Sequence, residues 1–146
     1  MSRLSRRSSK GFTLIEMLIV IVVIAILALI VIPRLLGAGR KAKEASLKGD
    51  LHQLRNAIQQ FEADCGDYPG TDLQPLMTKP ADGDTGGQGM DLDPAGWQGP
   101  YLRTPDGGLP VDPFTGAADW TYVGSTGEVH SAATLMALDG TAYSAW

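Results

Sequence analysis

KGFTLIEMLIVIVVIAILALIVIP, residues 10–33, sets one carboxylate, Glu16, near the start of an apolar run over residues 12–32. Thr13 and Glu16 are the only polar residues in it. At roughly 1.5 Å per residue a helix of this length spans about 31 Å, enough to cross the hydrocarbon core of a bilayer. A secretory signal has a shorter apolar core, about 7 to 15 residues, followed by a small-residue cleavage site. The run therefore reads as a membrane-spanning helix. Arg3, Arg6, Arg7 and Lys10 precede it, which predicts a cytoplasmic N-terminus and export of the remainder.

Beyond the run, Pro33 removes one helical hydrogen bond and Gly37 and Gly39 lower helix propensity, so a kink or locally melted turn is expected between Ile32 and Arg40. From Lys41 the pattern becomes amphipathic. Leu47, Leu51, Leu54, Ile58 and Phe61 recur at intervals of three and four, a stripe that must pack against something. The helix should end near Gly66, with Pro69 just past it as a stop. Residues 66–146 are rich in Gly, Pro and Asp with short apolar clusters, which predicts loops and short antiparallel strands near 119–124, 127–132 and 135–138. The fold class is α+β: a long N-terminal helix, transmembrane in its first half and amphipathic in its second, packed on a small antiparallel sheet. Such a sheet is too small to stand alone, and burying the helical stripe supplies its core.

With 146 residues and a membrane segment, the chain has room for one small domain, which excludes a large multidomain enzyme. The net charge of −4 hides a polarised layout, with thirteen acids against two bases after Asn56. Nucleic acid is not expected as a partner, because phosphate contacts need clustered Lys or Arg. The basic cluster between Arg34 and Arg55 suits the interfacial end of a membrane helix. Cys65 is the only cysteine, so no internal disulfide can form, and a small core residue is its expected role.

Other signals carry little. GAGRKA, residues 37–42, has the glycine spacing of a dinucleotide fingerprint, but it follows a bilayer-length helix where that motif needs a strand. DGDTGGQGMDLDP, residues 82–94, gathers aspartates without the spacing or closing glutamate of an EF-hand, and reads as an exposed loop. Trp97, Tyr101, Phe114, Trp120 and Tyr122 suit the core of a small Gly-rich domain better than a binding surface. No motif with catalytic spacing is present, and the chain does not read as an enzyme.

The carboxylate at Glu16 remains to be explained. Inside a membrane it costs about 2.5 to 3.5 kcal/mol on insertion scales, so a partner cation is expected unless the side chain reaches back to water. KGFTLIE followed by about twenty apolar residues resembles the leader of prepilins and pseudopilins, the type IV pilin superfamily, and is most similar to major pseudopilins of type II secretion systems. The resemblance implies removal of the basic leader, residues 1–11, by a prepilin peptidase that cuts between Gly11 and Phe12 and methylates the Phe12 amine. It implies that Glu16 meets the Phe12 amine of an adjacent subunit during assembly. Residues 12–65 would form the long helix, with 12–32 as membrane or filament core and 40–65 amphipathic, and 66–146 the exported globular region.

The likeness continues in FEADCGDYPGTDLQPLMTKP, residues 61–80, and GPYLRTPDGGLPVDPFTG, residues 99–116. It weakens afterwards. Major pseudopilins carry a calcium site in a C-terminal loop, whereas SAATLMALDG, residues 131–140, keeps only Asp139 and Gly140, and one carboxylate seldom makes such a site. No cofactor is expected. The partners implied are copies of the chain itself, minor pseudopilins, the prepilin peptidase, a platform protein and an assembly ATPase. The implied location is the bacterial inner membrane, single-pass with a periplasmic domain, and then a periplasmic or surface filament. A pilin of a surface pilus, used for adhesion, motility or DNA uptake, remains an alternative, as does a membrane-anchored binding module that never polymerises.

Overall fold

A computed structural model describes residues 12–146. A single long helix, α1 (Leu14–Cys65), is followed by a 3-10 turn at Gln74–Leu76, strands β1 (Thr121–Val123) and β2 (Glu128–His130), and a second 3-10 turn at Tyr143–Ala145. The chain divides into two compact units, Met1–Gly39 and Arg40–Trp146.

In the first unit the described residues belong almost entirely to α1, which is long and apolar enough to cross a membrane. Its large apolar side chains are exposed all round, from Leu14 at 87% to Ile32 at 54%. A helix that is apolar on every face needs an apolar surround. The residues between Ile32 and Arg40 are helical. The melted turn expected from Pro33, Gly37 and Gly39 is thus not a feature of the single chain, where each remaining backbone bond of the helix can form despite the weak propensities.

The second unit is organised on the amphipathic half of α1. Leu47, Leu51, Leu54, Ile58 and Phe61 are no more than 2% exposed, as the helical spacing predicts, and pack with Leu76, Val129 and Tyr143. The helix stops where expected: Gly66 takes φ +88° and donates its N–H to the Glu62 carbonyl at 2.8 Å, a left-handed cap that favours glycine. Cys65 is buried in this core, and burial pushes its thiol pKa up. The five aromatics pack, half-buried, against the same core. Three of them place their polar tips on main-chain carbonyls, Trp97 on Pro75 at 3.0 Å, Trp120 on Pro110 at 2.8 Å and Tyr122 on Pro69 at 2.9 Å, and the Tyr101 hydroxyl donates to Asp64 at 2.8 Å.

The sheet is a two-stranded antiparallel hairpin with Tyr122 opposite Val129. The third strand expected at 135–138 does not form. Met136 makes one isolated bridge with Ala142, and the segment folds on itself through Ala137 N–H to Thr141 O at 2.7 Å and Gly140 N–H to Ala137 O at 3.0 Å. Its backbone groups are satisfied within the turn and by side chains of α1, and do not extend the ladder.

Candidate functional site

The N-terminus of α1 is closed by a reciprocal pair. Thr13 occupies the cap: its Oγ1 accepts the Glu16 N–H at 3.3 Å, while Glu16 Oε2 accepts the Thr13 N–H at 2.9 Å and the Thr13 hydroxyl at 3.0 Å. This is a capping box, Thr-x-x-Glu, which satisfies two helix-end donors at once. The Thr-x-x-Glu spacing of this box is plain in FTLIEM. Phe12, just before the cap, is 77% exposed. Gly11 lies outside the described residues. Gly37 and Gly39 lie within α1, and a Cβ built on either meets nothing within 4 Å.

A second polar arrangement, not anticipated from the sequence, centres on Asp67, which is buried directly after the helix cap. Its carboxylate accepts the N–H groups of Tyr68 at 2.7 Å, Gln88 at 3.0 Å and Met90 at 3.2 Å. Gly86 packs so closely that a Cβ there would lie 2.3 Å from Asp67 Oδ2. The loop 82–94, expected to be merely exposed, is therefore tied down by Asp67, as well as by Leu92 buried in the core and by the Gly87 and Asp93 N–H groups on the Tyr68 and Cys65 carbonyls. Asp112 acts similarly in the next loop, accepting the Phe114 N–H at 2.7 Å and the Ser131 hydroxyl.

The C-terminal segment is held against α1 by side chains of the basic cluster. Arg40 donates to the Met136 carbonyl, and its Nε lies 3.9 Å from Glu44 Oε1. That same oxygen accepts the Leu138 N–H at 2.8 Å and the Tyr143 hydroxyl at 2.8 Å. Further along, the Lys48 ammonium lies 4.2 Å from the Trp146 ring centroid, and Arg55 donates to the carbonyls of Val129, at 3.0 Å, and Trp146. Three bases assigned from the sequence to a lipid interface thus serve intramolecular contacts. Asp139 turns back on its own loop, accepting the Thr141 N–H at 2.9 Å and hydroxyl at 2.6 Å. Those hydrogen bonds hold its carboxyl below the usual carboxylate range.

Comparison with known proteins places both halves of the sequence. Residues 6–32 match the prokaryotic N-terminal methylation motif, and residues 34–139 match the family described as type II secretion system (T2SS), protein G. The chain is 38% identical to the type II secretion system core protein G of Vibrio cholerae serotype O1, over 77% of this chain and 83% of that protein. It is 33% identical to the core protein G of Pseudomonas aeruginosa, over 85% of this chain and 81% of that one. To the core protein G of Klebsiella michiganensis it is 41% identical, over 52% and 55% of the two chains. No solved structure matches. With its apolar N-terminal helix, its α+β core and a match running from residue 34 to residue 139, this chain belongs to the protein G family of type II secretion systems, the major pseudopilins.

Proposed function

We propose that the chain is cut between Gly11 and Phe12, methylated at the new Phe12 amine, and polymerised into a helical pseudopilus that drives type II secretion. The observation that carries this reading is the exposure of residues 12–32 on every face, with Glu16 as the one ionisable group among them. In the membrane, lipid covers that surface. In a filament, equivalent helices from other copies replace lipid, and close packing takes over from lipid contact. One heterologous contact repeated without closure generates an open helical fibre, the form a secretion piston needs.

Glu16 lies four residues beyond the new terminus, about 6 Å along a helix at roughly 1.5 Å per residue. In the single chain the Thr13 cap supplies its hydrogen bonds but no opposite charge. The Phe12 amine of a neighbouring copy would supply that charge, so pairing becomes available only on assembly. Gly37 and Gly39 support a related reading. A side chain at either would meet nothing within the single chain, which leaves both glycines free to let neighbouring helices approach closely, and unwinding at 33–39 would accompany that packing in the assembled state. The family is one of structural subunits, and the globular unit would face the periplasm while minor pseudopilins, a platform protein and an ATPase act on assembly.

Peptide mass spectrometry of sheared surface material and washed envelope tests the reading. A methylated peptide beginning at Phe12 and confined to the envelope is the expected result. The same peptide concentrated in the sheared fraction would point to a surface pilus, and retention of residues 1–11 in both fractions would overturn processing and filament assembly together.

A further inference from the structure

We propose that the C-terminal loop, residues 135–143, is fastened to α1 by the ion-paired side chains of Arg40 and Glu44, and that this fastening does not depend on calcium. The calcium site implied by resemblance to other major pseudopilins does not fit the residues of this loop. Calcium takes six to eight oxygen ligands, several from carboxylates. Residues 131–146 contain one acid, Asp139, whose Oδ1 already accepts both the N–H and the hydroxyl of Thr141. Among the described residues no group of three His, Cys, Asp or Glu side chains comes together to hold a metal. Three of the loop's main-chain oxygens already accept hydrogen bonds: Leu135 O from Tyr143, Ala137 O from Gly140, and Met136 O from the Arg40 guanidinium. The guanidinium on the Met136 carbonyl occupies the place a cation would take at that oxygen.

Arg40 and Glu44 together do what a bound cation does in a loop of this kind, which is to gather its oxygens and hold them to the scaffold. They sit one helical turn apart, so each fixes the other. Arg40 takes a loop carbonyl. Glu44, whose side chain is only 14% exposed, takes a loop N–H and the Tyr143 hydroxyl on a single carboxylate oxygen. Charge-assisted hydrogen bonds of this sort are stronger than neutral ones. The arrangement lies within one subunit and stands or falls independently of the filament reading.

Residue-resolved hydrogen exchange on the full-length chain in detergent micelles tests it. In the natural sequence, exchange at Ala137, Leu138 and Tyr143 should be the same in excess calcium as in excess EGTA, within about twofold. Glu44→Ala should speed exchange at Leu138 by about ten- to a hundredfold, the loss of a hydrogen bond to a charged acceptor. Arg40→Ala should speed the same three amides, and Glu44→Gln, which keeps a carbonyl acceptor, should recover part of the protection. The amides of Gln88 and Met90, held by Asp67, report whether a variant has kept its fold. Faster exchange of the loop in EGTA would overturn the proposal, as would natural protection at Leu138 in a folded Glu44→Ala variant. Should Glu44→Ala lose its fold, Glu44→Gln and the calcium comparison decide between the two.

Discussion

Asp67 is a carboxylate whose importance depends wholly on what surrounds it. Three N–H groups converge on it from two separate stretches of chain, and Asp67→Ala would take their shared acceptor away, although Gln88 and Met90 lie where water can replace it in part. Losing hydrogen bonds to a charged acceptor costs about 1 to 3 kcal/mol, and with water able to reach two of the donors the variant should lose about 1 to 2 kcal/mol in denaturant unfolding followed by tryptophan fluorescence. Nothing in DCGDYP distinguishes this aspartate from a solvated one, because two of the three groups that need it lie 21 and 23 residues downstream. Tyr101 makes a pH prediction. Burial pushes its phenol from 10.0 up to about 12, and the neighbouring Asp64 carboxylate, which accepts its hydroxyl at 2.8 Å, acts in the same direction. The folded chain thus holds this proton after the unfolded chain has released it. Its stabilising effect is complete below pH 10 and is lost as pH rises from there towards 12. Unfolding midpoints measured across that window should fall, with tyrosinate absorbance of the native protein rising late; a flat midpoint would place the phenol in water.

Helix α1 was the most legible element, since the period of Leu47, Leu51, Leu54, Ile58 and Phe61 states which face is buried. Gly66 marked its end for an equally local reason, the need for a left-handed residue. Leu54, fully buried at the middle of the stripe, should lose about 2 to 5 kcal/mol on replacement by alanine, while Leu29→Ala, in the exposed apolar stretch, should leave the unfolding of the globular unit unchanged. The segment 135–138 does not form the expected strand because a short apolar run such as LMAL suits a strand only when a partner strand takes its hydrogen bonds, and here Thr141, Gly140 and the side chain of Glu44 take them first. The contacts of Arg40, Glu44 and Arg55 with the C-terminal segment were beyond local reading for the same reason. Partners 94 residues apart, as in Glu44 and Leu138, leave no spacing to recognise.

At the scale of the whole molecule the exposed helix of residues 12–32 is the part that the single chain leaves unfinished, and Glu16 is where its completion can be tested. Two roles compete for that carboxylate. As the closing residue of a capping box it needs only an acceptor oxygen, which glutamine supplies as well as glutamate. As the partner of a neighbouring amine it needs a negative charge, which glutamine lacks. Glu16→Gln should therefore keep the cap, insert into the membrane normally and fold its globular unit, yet fail to form filaments, matching Glu16→Ala. Thr13→Val removes the hydroxyl of the cap while leaving the charge, and should weaken the helix start by about 1 kcal/mol without abolishing assembly. Cross-linking of neighbouring copies in intact envelopes, beside membrane fractionation of each variant, reads both properties at once. If Glu16→Gln assembles like the natural chain while Glu16→Ala does not, the hydrogen-bonded cap is the functional feature and the charge-pairing role is wrong. If all three variants assemble, the acid serves only the isolated subunit, and the contact that selects one copy for the next must lie in the globular unit.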